Sequence, residues 1–173
     1  MSSEVHINDD DQALTITSDK LNQYEIRPMN ETDLATAVEI EKMIWGDESW
    51  NLGFFSDFFK DPLSSCWILE NTNSTQPTVG YGLQSLLHNQ SSITNLALHP
   101  SQWGRGLGGL LLRHMIKHAR LTCAVRMTLE VNTSNERALK LYFNHGFRIS
   151  KLLPKYYGSS DGYSMILQLE NEI

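Results

Sequence analysis

The sequence predicts a mixed α/β domain, and three observations carry that expectation. Runs that alternate apolar and polar residues, as half-buried strands do, are interleaved with runs whose apolar residues recur every three or four positions, as core-facing helices require. Clusters of glycine, proline and small polar residues separate the two kinds of run. The chain has 173 residues, the size of one domain, with no internal repeat and no low-complexity segment.

Residues 1–22 are polar, with an acidic run at Asp9–Asp11. They are expected to form a mobile extension, with a short strand around Leu14–Thr17. The domain is expected over residues 23–173. Tyr24–Met29 alternates as a strand and ends in a turn, where Asn30 and Thr32 are N-cap candidates for the helix DLATAVEIEKMIW. A shorter helix over NLGFFSDFF stops before Pro62. Three strands follow: CWILE, then VGYGLQSLL after the polar turn NTNSTQPT, then SITNLAL. HPSQWGRG breaks the pattern ahead of an amphipathic helix over Leu107–Ala119. VRMTLEV is the next strand, and NERALKLYFNHG the last helix, closed by Gly146. FRISKLL and YSMILQL are strands flanking a loop that contains KYYGSSDG. The expected order is β-α-α-β-β-β-α-β-α-β-β.

Bulk properties exclude several function classes. A formal net charge of -6 argues against a nucleic-acid-binding surface, which needs a basic stripe for phosphates, but suits a cationic amine substrate. The amino terminus lacks the basic start and apolar core of a secretory signal, and no apolar run approaches membrane-spanning length, so the cytoplasm is expected. Cys66 and Cys123 sit in separate apolar runs and read as buried thiols in a reducing compartment, not as a disulfide.

The segment GRGLGG (Gly104–Gly109) lies between a strand and a helix, where a phosphate-binding turn belongs. Glycine lets the backbone close on an anion, and the helix N-terminus adds free N–H groups and the positive end of the dipole. A P-loop is ruled out because no Lys-Ser or Lys-Thr pair follows the glycines. Gly104, Gly106 and Gly109 match a dinucleotide fingerprint, with Glu130 at a plausible distance. However, HPSQW separates strand from glycine, and too little chain follows for a second half-sheet.

LALHPSQWGRGLGGLLLRHMI resembles motif A of the GNAT superfamily of N-acetyltransferases throughout. LEVNTSNERALKLYFNHGFRI is similar to the second half of that core, above all in ribosomal-protein-alanine and related protein N-terminal acetyltransferases. Glu130, Val131, Ser134, Asn135, Ala138, Leu141, Tyr142, Gly146 and Phe147 fall in register, and KYYGSSDG is similar to that family's Tyr-Tyr loop. The resemblance implies a GNAT-like acyl-CoA N-acyltransferase fold, acetyl-CoA as cosubstrate and a protein or peptide N-terminus as acceptor.

By matching position, backbone atoms of Leu96, Ala97 and Leu98 would hold the pantetheine arm. Gly104, Arg105, Gly106, Leu107, Gly108 and Gly109 would cradle the pyrophosphate, and Asn135 would lie beside the thioester. Glu130 would be the general base and Tyr142 the general acid. The Leu98 N–H is the candidate for polarising the thioester carbonyl. Tyr156 and Tyr157 would line the substrate entrance.

Plainer readings compete for each residue: a solvated strand-end carboxylate, a core tyrosine, an ordinary aromatic loop. Trp50, Phe54 and Phe55 fit core packing better than a wall of the site. The chain departs from the family twice. Trp103 stands where Arg or Gln is usual, with Gln102 and Arg105 as neighbours able to substitute, and two residues are missing before Tyr163. His114 and His118 have a metal-compatible spacing, but Met115 replaces the glutamate of a metalloprotease helix, so no metal is expected. Other acceptors remain open, namely a small amine or a lysine side chain, as does a coenzyme A-binding regulatory module without turnover.

Overall fold

The computed structural model describes residues 22–169. The strand expected around Leu14–Thr17 and nearly all of the expected extension lie outside the described residues. The elements are β1 (Tyr24–Pro28), α1 (Asp33–Trp45), α2 (Leu52–Lys60), β2 (Ser64–Asn71), β3 (Thr78–Leu87), β4 (Gln90–Leu98), α3 (Leu107–Leu121), β5 (Arg126–Asn132), α4 (Glu136–Asn144), β6 (Arg148–Tyr157) and β7 (Ser160–Gln168), in the expected order.

Local chemistry sets the helix starts. Asn51 and Asn135 cap α2 and α4, each side chain accepting an N–H three residues on. Thr32 occupies the N-cap of α1 without using its hydroxyl on the helix. The turn is held instead by Asn30, whose Oδ1 accepts from the Thr32 N–H at 2.9 Å, and by Arg27, which donates two bonds to Asp33 at 2.7 and 2.8 Å. Arg27 also reaches Glu70, tying β1 to both α1 and β2.

The seven strands form one sheet, ordered β1-β2-β3-β4-β5-β7-β6. Every neighbouring pair is antiparallel except β4–β5, which is parallel. Alternation sends Ile68, Tyr81, Leu83 and Ala97 to one face, against Leu34, Ala37, Ile40 and Phe55 of α1 and α2. Leu69, Val79, Met127, Leu129 and Val131 go to the other face, against α3 and, from α4, Tyr142. Leu107, Leu111, Leu112 and Met115 of α3 are each 0% exposed, and burial of such side chains contributes ~2 kcal/mol apiece. Close approach explains Gly82, where a Cβ would lie 2.7 Å from the Met115 sulfur.

Two expectations are corrected. KYYGSSDG is not a loop: β6 runs through Tyr157 and β7 starts at Ser160, so only a tight turn at Gly158 separates them. Lys155 has a positive φ of 53° beside a register shift, and its N–H donates to Asp161 Oδ1 at 2.8 Å, which lets the hairpin close this tightly. Cys123 is exposed, not buried, because it follows α3 in a left-handed conformation (φ 59°) that turns the chain back towards β5. Cys66 is partly buried, and burial pushes its thiol up to about 11.

His114 and His118 meet the edge of Trp67, with ring centroids 4.4 and 4.8 Å away, and His118 Nε2 lies 3.0 Å from the Ser65 hydroxyl. Burial lowers both imidazole pKa values, and His114 is lowered further by His118 and Lys117. Below ~6.5 the unfolded chain binds protons that the folded chain resists. Their contribution to stability is therefore complete above that pH and lost as pH falls through the depressed folded values. Thermal unfolding should show a drop in Tm between pH 7 and 5 that is smaller in the His114→Gln/His118→Gln double variant. Parallel pH curves for the two proteins would refute this.

Candidate active site

The site begins where β4 and β5 part. They pair only over Gln90–Ile93 and Arg126–Leu129. Beyond that point β4 carries an extra residue, because Leu83 of β3 faces Asn95 while Gln84 faces Ile93, leaving Thr94 unmatched. Such a bulge bends the strand, and β4 turns away from β5 immediately after its last pair with it.

The bend exposes backbone groups. The His99 N–H donates to Val79 of β3 at 2.9 Å, so alternation along the antiparallel ladder turns the N–H and C=O of Leu98 and Leu96 away from β3, into the split. The indole N–H of Trp103 donates to the Leu98 carbonyl at 2.9 Å, while the Leu98 N–H faces the split with no partner from β3.

The glycine segment forms the next wall. Gly106 is the N-cap of α3 in the left-handed region (φ 73°), a conformation that favours glycine. The first helical bond runs from the Leu110 N–H to the Gly106 carbonyl, so the N–H groups of Leu107, Gly108 and Gly109 have no carbonyl behind them within the helix. That is the arrangement of an anion site. Asn135 caps α4 through Oδ1, which accepts from the Ala138 N–H at 3.1 Å. Its amide nitrogen is not needed for the cap.

One cavity of about 430 Å³, a size suited to a cofactor arm, collects these groups. Leu96, Ala97, Leu98, Gly104, Gly106, Leu107, Gly108, Gly109, Asn135 and Tyr142 all line it. Arg105 is exposed and is not part of the lining.

Glu130, Tyr156 and Tyr157 form a cluster next to the cavity instead of lining it. Glu130 lies on the β5 face opposite Met127, Leu129 and Val131, paired with Ser164 of β7. It keeps solvent contact, yet enough protein surrounds the carboxyl to raise its pKa by desolvation. The Tyr156 and Tyr157 rings pack edge to face at 5.0 Å, in space kept open by Gly162. Burial, then the charges of Tyr156 and Glu130, push Tyr157 up to about 12. Tyr156 is raised by burial and by Glu130, and Tyr142 by burial and by Tyr157. Field links therefore run from Glu130 through Tyr157 to Tyr142, joining the cluster to the cavity.

Among the described residues no group of three or more His, Cys, Asp or Glu is placed to hold a metal. Core packing holds for Phe55, which is 1% exposed against Tyr81, and in part for the half-buried Trp50, but Phe54 is exposed beside Trp50 at 4.2 Å between rings. The facing wall comes from Ile44 and Trp45 at the end of α1, which no sequence signal marked. Ala138 and Leu141 also line the cavity, and helical spacing from Asn135 to Tyr142 would have found them.

The acetyltransferase (GNAT) family profile matches residues 30–147 of this chain. The chain belongs to that family. Its members are acetyl-CoA-dependent acyltransferases, and solved structures of this fold hold acetyl-CoA or CoA. The [ribosomal protein bS18]-alanine N-acetyltransferase of Salmonella typhimurium is 30% identical over 83 residues, covering 48% of this chain and 56% of that enzyme. An uncharacterized N-acetyltransferase of Methanocaldococcus jannaschii is 30% identical over 151 residues, covering 85% of this chain and 91% of its own length. In fold, the chain is similar to the crystal structure of the ribosomal-protein-S18-alanine N-acetyltransferase from Escherichia coli, with a TM-score of 0.76 at 23% identity over 85% of this chain and 94% of that one. The mixed sheet and four helices are those of this acyltransferase fold. Among the described residues no helix is long and apolar enough to cross a membrane.

The cavity fits the cosubstrate. Free N–H groups at the start of α3 suit a diphosphate, and the Leu98 N–H inside the split suits a carbonyl oxygen. Apolar walls from Leu96, Leu141 and Ile44 suit an extended arm.

Proposed function

We propose that this protein transfers acetyl from acetyl-CoA directly to a primary amine, and that the amine is the α-amino group of a protein or peptide. The observation that carries this reading is the Glu130–Tyr156–Tyr157 cluster, joined to the cavity at Tyr142. Bound acetyl-CoA supplies an activated acetyl group as a thioester. Glu130 takes the proton of the acceptor ammonium, directly or through water, and its raised pKa brings it closer to that of the amine. The Leu98 N–H holds the carbonyl oxygen as the amine nitrogen bonds to the acetyl carbon and the carbon–sulfur bond breaks. The Tyr142 hydroxyl gives its proton to the departing sulfur and is restored by the proton the new amide nitrogen releases. Burial keeps that phenol protonated well above neutral pH, the state an acid needs. Tyr156 and Tyr157 offer hydroxyls to the backbone of the incoming residues.

The magnitude of the proton cost favours the α-amine. At pH 7.5, deprotonating a group of pKa ~8 costs under ~1 kcal/mol, against ~4 kcal/mol for a lysine of pKa ~10.4. A partly exposed glutamate covers the first cost, whereas the second calls for a drier site. The likeness to ribosomal-protein-alanine acetyltransferases points the same way.

The test is a pair of short peptides, one with a free amino terminus and no lysine, the other N-blocked with one lysine. Acetylation is expected on the first. Modification of the blocked lysine peptide alone would overturn the reading. Modification of polyamines or amino sugars in place of both would move the acceptor to small amines. Cofactor binding without turnover on any amine would make the domain a regulatory module.

A further inference from the structure

We propose that Arg137 of α4 supplies the phosphate contact that Trp103 displaces from the glycine segment, and that Trp103 is the platform that holds it. This rests on acetyl-CoA being the cosubstrate. The Arg137 guanidinium carbon lies 3.5 Å from the centroid of the Trp103 ring, so the side chain reaches from α4 to the loop before α3. The indole cannot turn freely, because its N–H is bonded to the Leu98 carbonyl at 2.9 Å. Both residues line the same cavity as Gly104 and Gly106–Gly109.

The chemistry suits an anion. A guanidinium stacked on an aromatic ring spends its face on the ring and keeps its edge, with the N–H fork, for a planar or tetrahedral oxyanion. The stack also fixes a long side chain in advance of binding, which lowers the entropy lost on contact. Among the described residues the ion pairs are those of Arg27, so no carboxylate neutralises Arg137 or Lys140, its neighbour in the lining. The nearer substitutes offer less, since Gln102 lines the cavity but carries no charge. Arg105 is outside the lining, and the Gln102 side-chain nitrogen is turned to the Ser101 hydroxyl at 3.4 Å. A residue one helix away has therefore taken over the role that the motif gives to its own loop.

The phosphate is the diphosphate of coenzyme A, the group proposed for the glycine segment, and calorimetry with coenzyme A and its 3′-dephospho form tests this. Arg137→Ala should weaken coenzyme A binding at least tenfold and flatten its salt dependence, with the melting temperature unchanged because the side chain is exposed. An equal loss for the dephospho ligand supports the diphosphate contact; a loss confined to coenzyme A would place Arg137 on the 3′-phosphate and overturn it. Trp103→Arg placed in the Arg137→Ala background should recover most of the lost affinity. Binding of both ligands within twofold of wild type in Arg137→Ala, or no recovery in the double variant, overturns the assignment. Failure of the wild type to bind coenzyme A at all would instead overturn the cosubstrate reading on which it rests.

Discussion

Gly108→Glu is expected to abolish acetyl-CoA binding while leaving the fold as stable as before. A Cβ at position 108 would meet Leu141 at 3.5 Å and Leu98 at 3.8 Å, ordinary contacts that the backbone tolerates. The longer side chain must then run into the cavity that Leu98, Leu141 and Gly108 line together. Its carboxylate would stand at the N–H groups proposed to hold the diphosphate. A like charge about 5 Å away at an effective dielectric of ~20 opposes binding by ~3 kcal/mol, and the lost space adds to that, so affinity should fall by at least ~10³. The fold should not suffer, because a glutamate in the first turn of α3 is a better helix former than glycine and complements the dipole. Gly108→Ala separates the two effects, since it keeps the Cβ and omits the charge. Undiminished acetyl-CoA affinity in the glutamate variant, measured by calorimetry, would sink the assignment of this segment, and NADH binding by the wild type would revive a dinucleotide site.

Tyr142→Phe should lower turnover by ~10²–10⁴ while acetyl-CoA affinity changes little. The ring itself packs: Tyr142 is 7% exposed and lies 5.7 Å from Phe147, edge to face. Phenylalanine preserves that contact, so the variant removes the hydroxyl proposed as proton donor and nothing else of substance. Burial raises the phenol above its ordinary range, so it stays protonated throughout pH 6–9 and the deficit should be nearly the same across that interval. Turnover within about threefold of wild type at every pH would mean that the sulfur leaves without help from this tyrosine.

The order of elements was readable because each carries its own short-range pattern. DLATAVEIEKMIW is a helix of those bounds, and Gly146 adopts the positive φ of 90° that a helix-ending glycine takes. The errors fall where a short-range rule meets a long-range contact. A run of polar residues with two glycines reads as a loop, yet β6 and β7 pair through it, because Asp161 satisfies the Lys155 N–H and the ladder then resumes. Cys123 sits in an apolar run, yet the direction of the chain after α3 turns it outward.

That the glycine segment, the Asn135-to-Tyr142 face of α4 and the end of β4 line one cavity could be anticipated for a different reason. Phosphate binding by backbone and helix N-terminus is local chemistry, written within a few residues of one another. What only the tertiary structure decided is what lies across the gap from them. Ile44 and Trp45 reach the cavity from α1, and Arg137 reaches Trp103 from α4. Glu130 stands with Tyr156 and Tyr157 beside the cavity, not inside it. These placements depend on the Thr94 bulge, after which β4 and β5 no longer pair, and on which face of the sheet each helix covers. Spacing along a chain records neither, because side chains from distant segments meet only once packing has fixed where their elements lie.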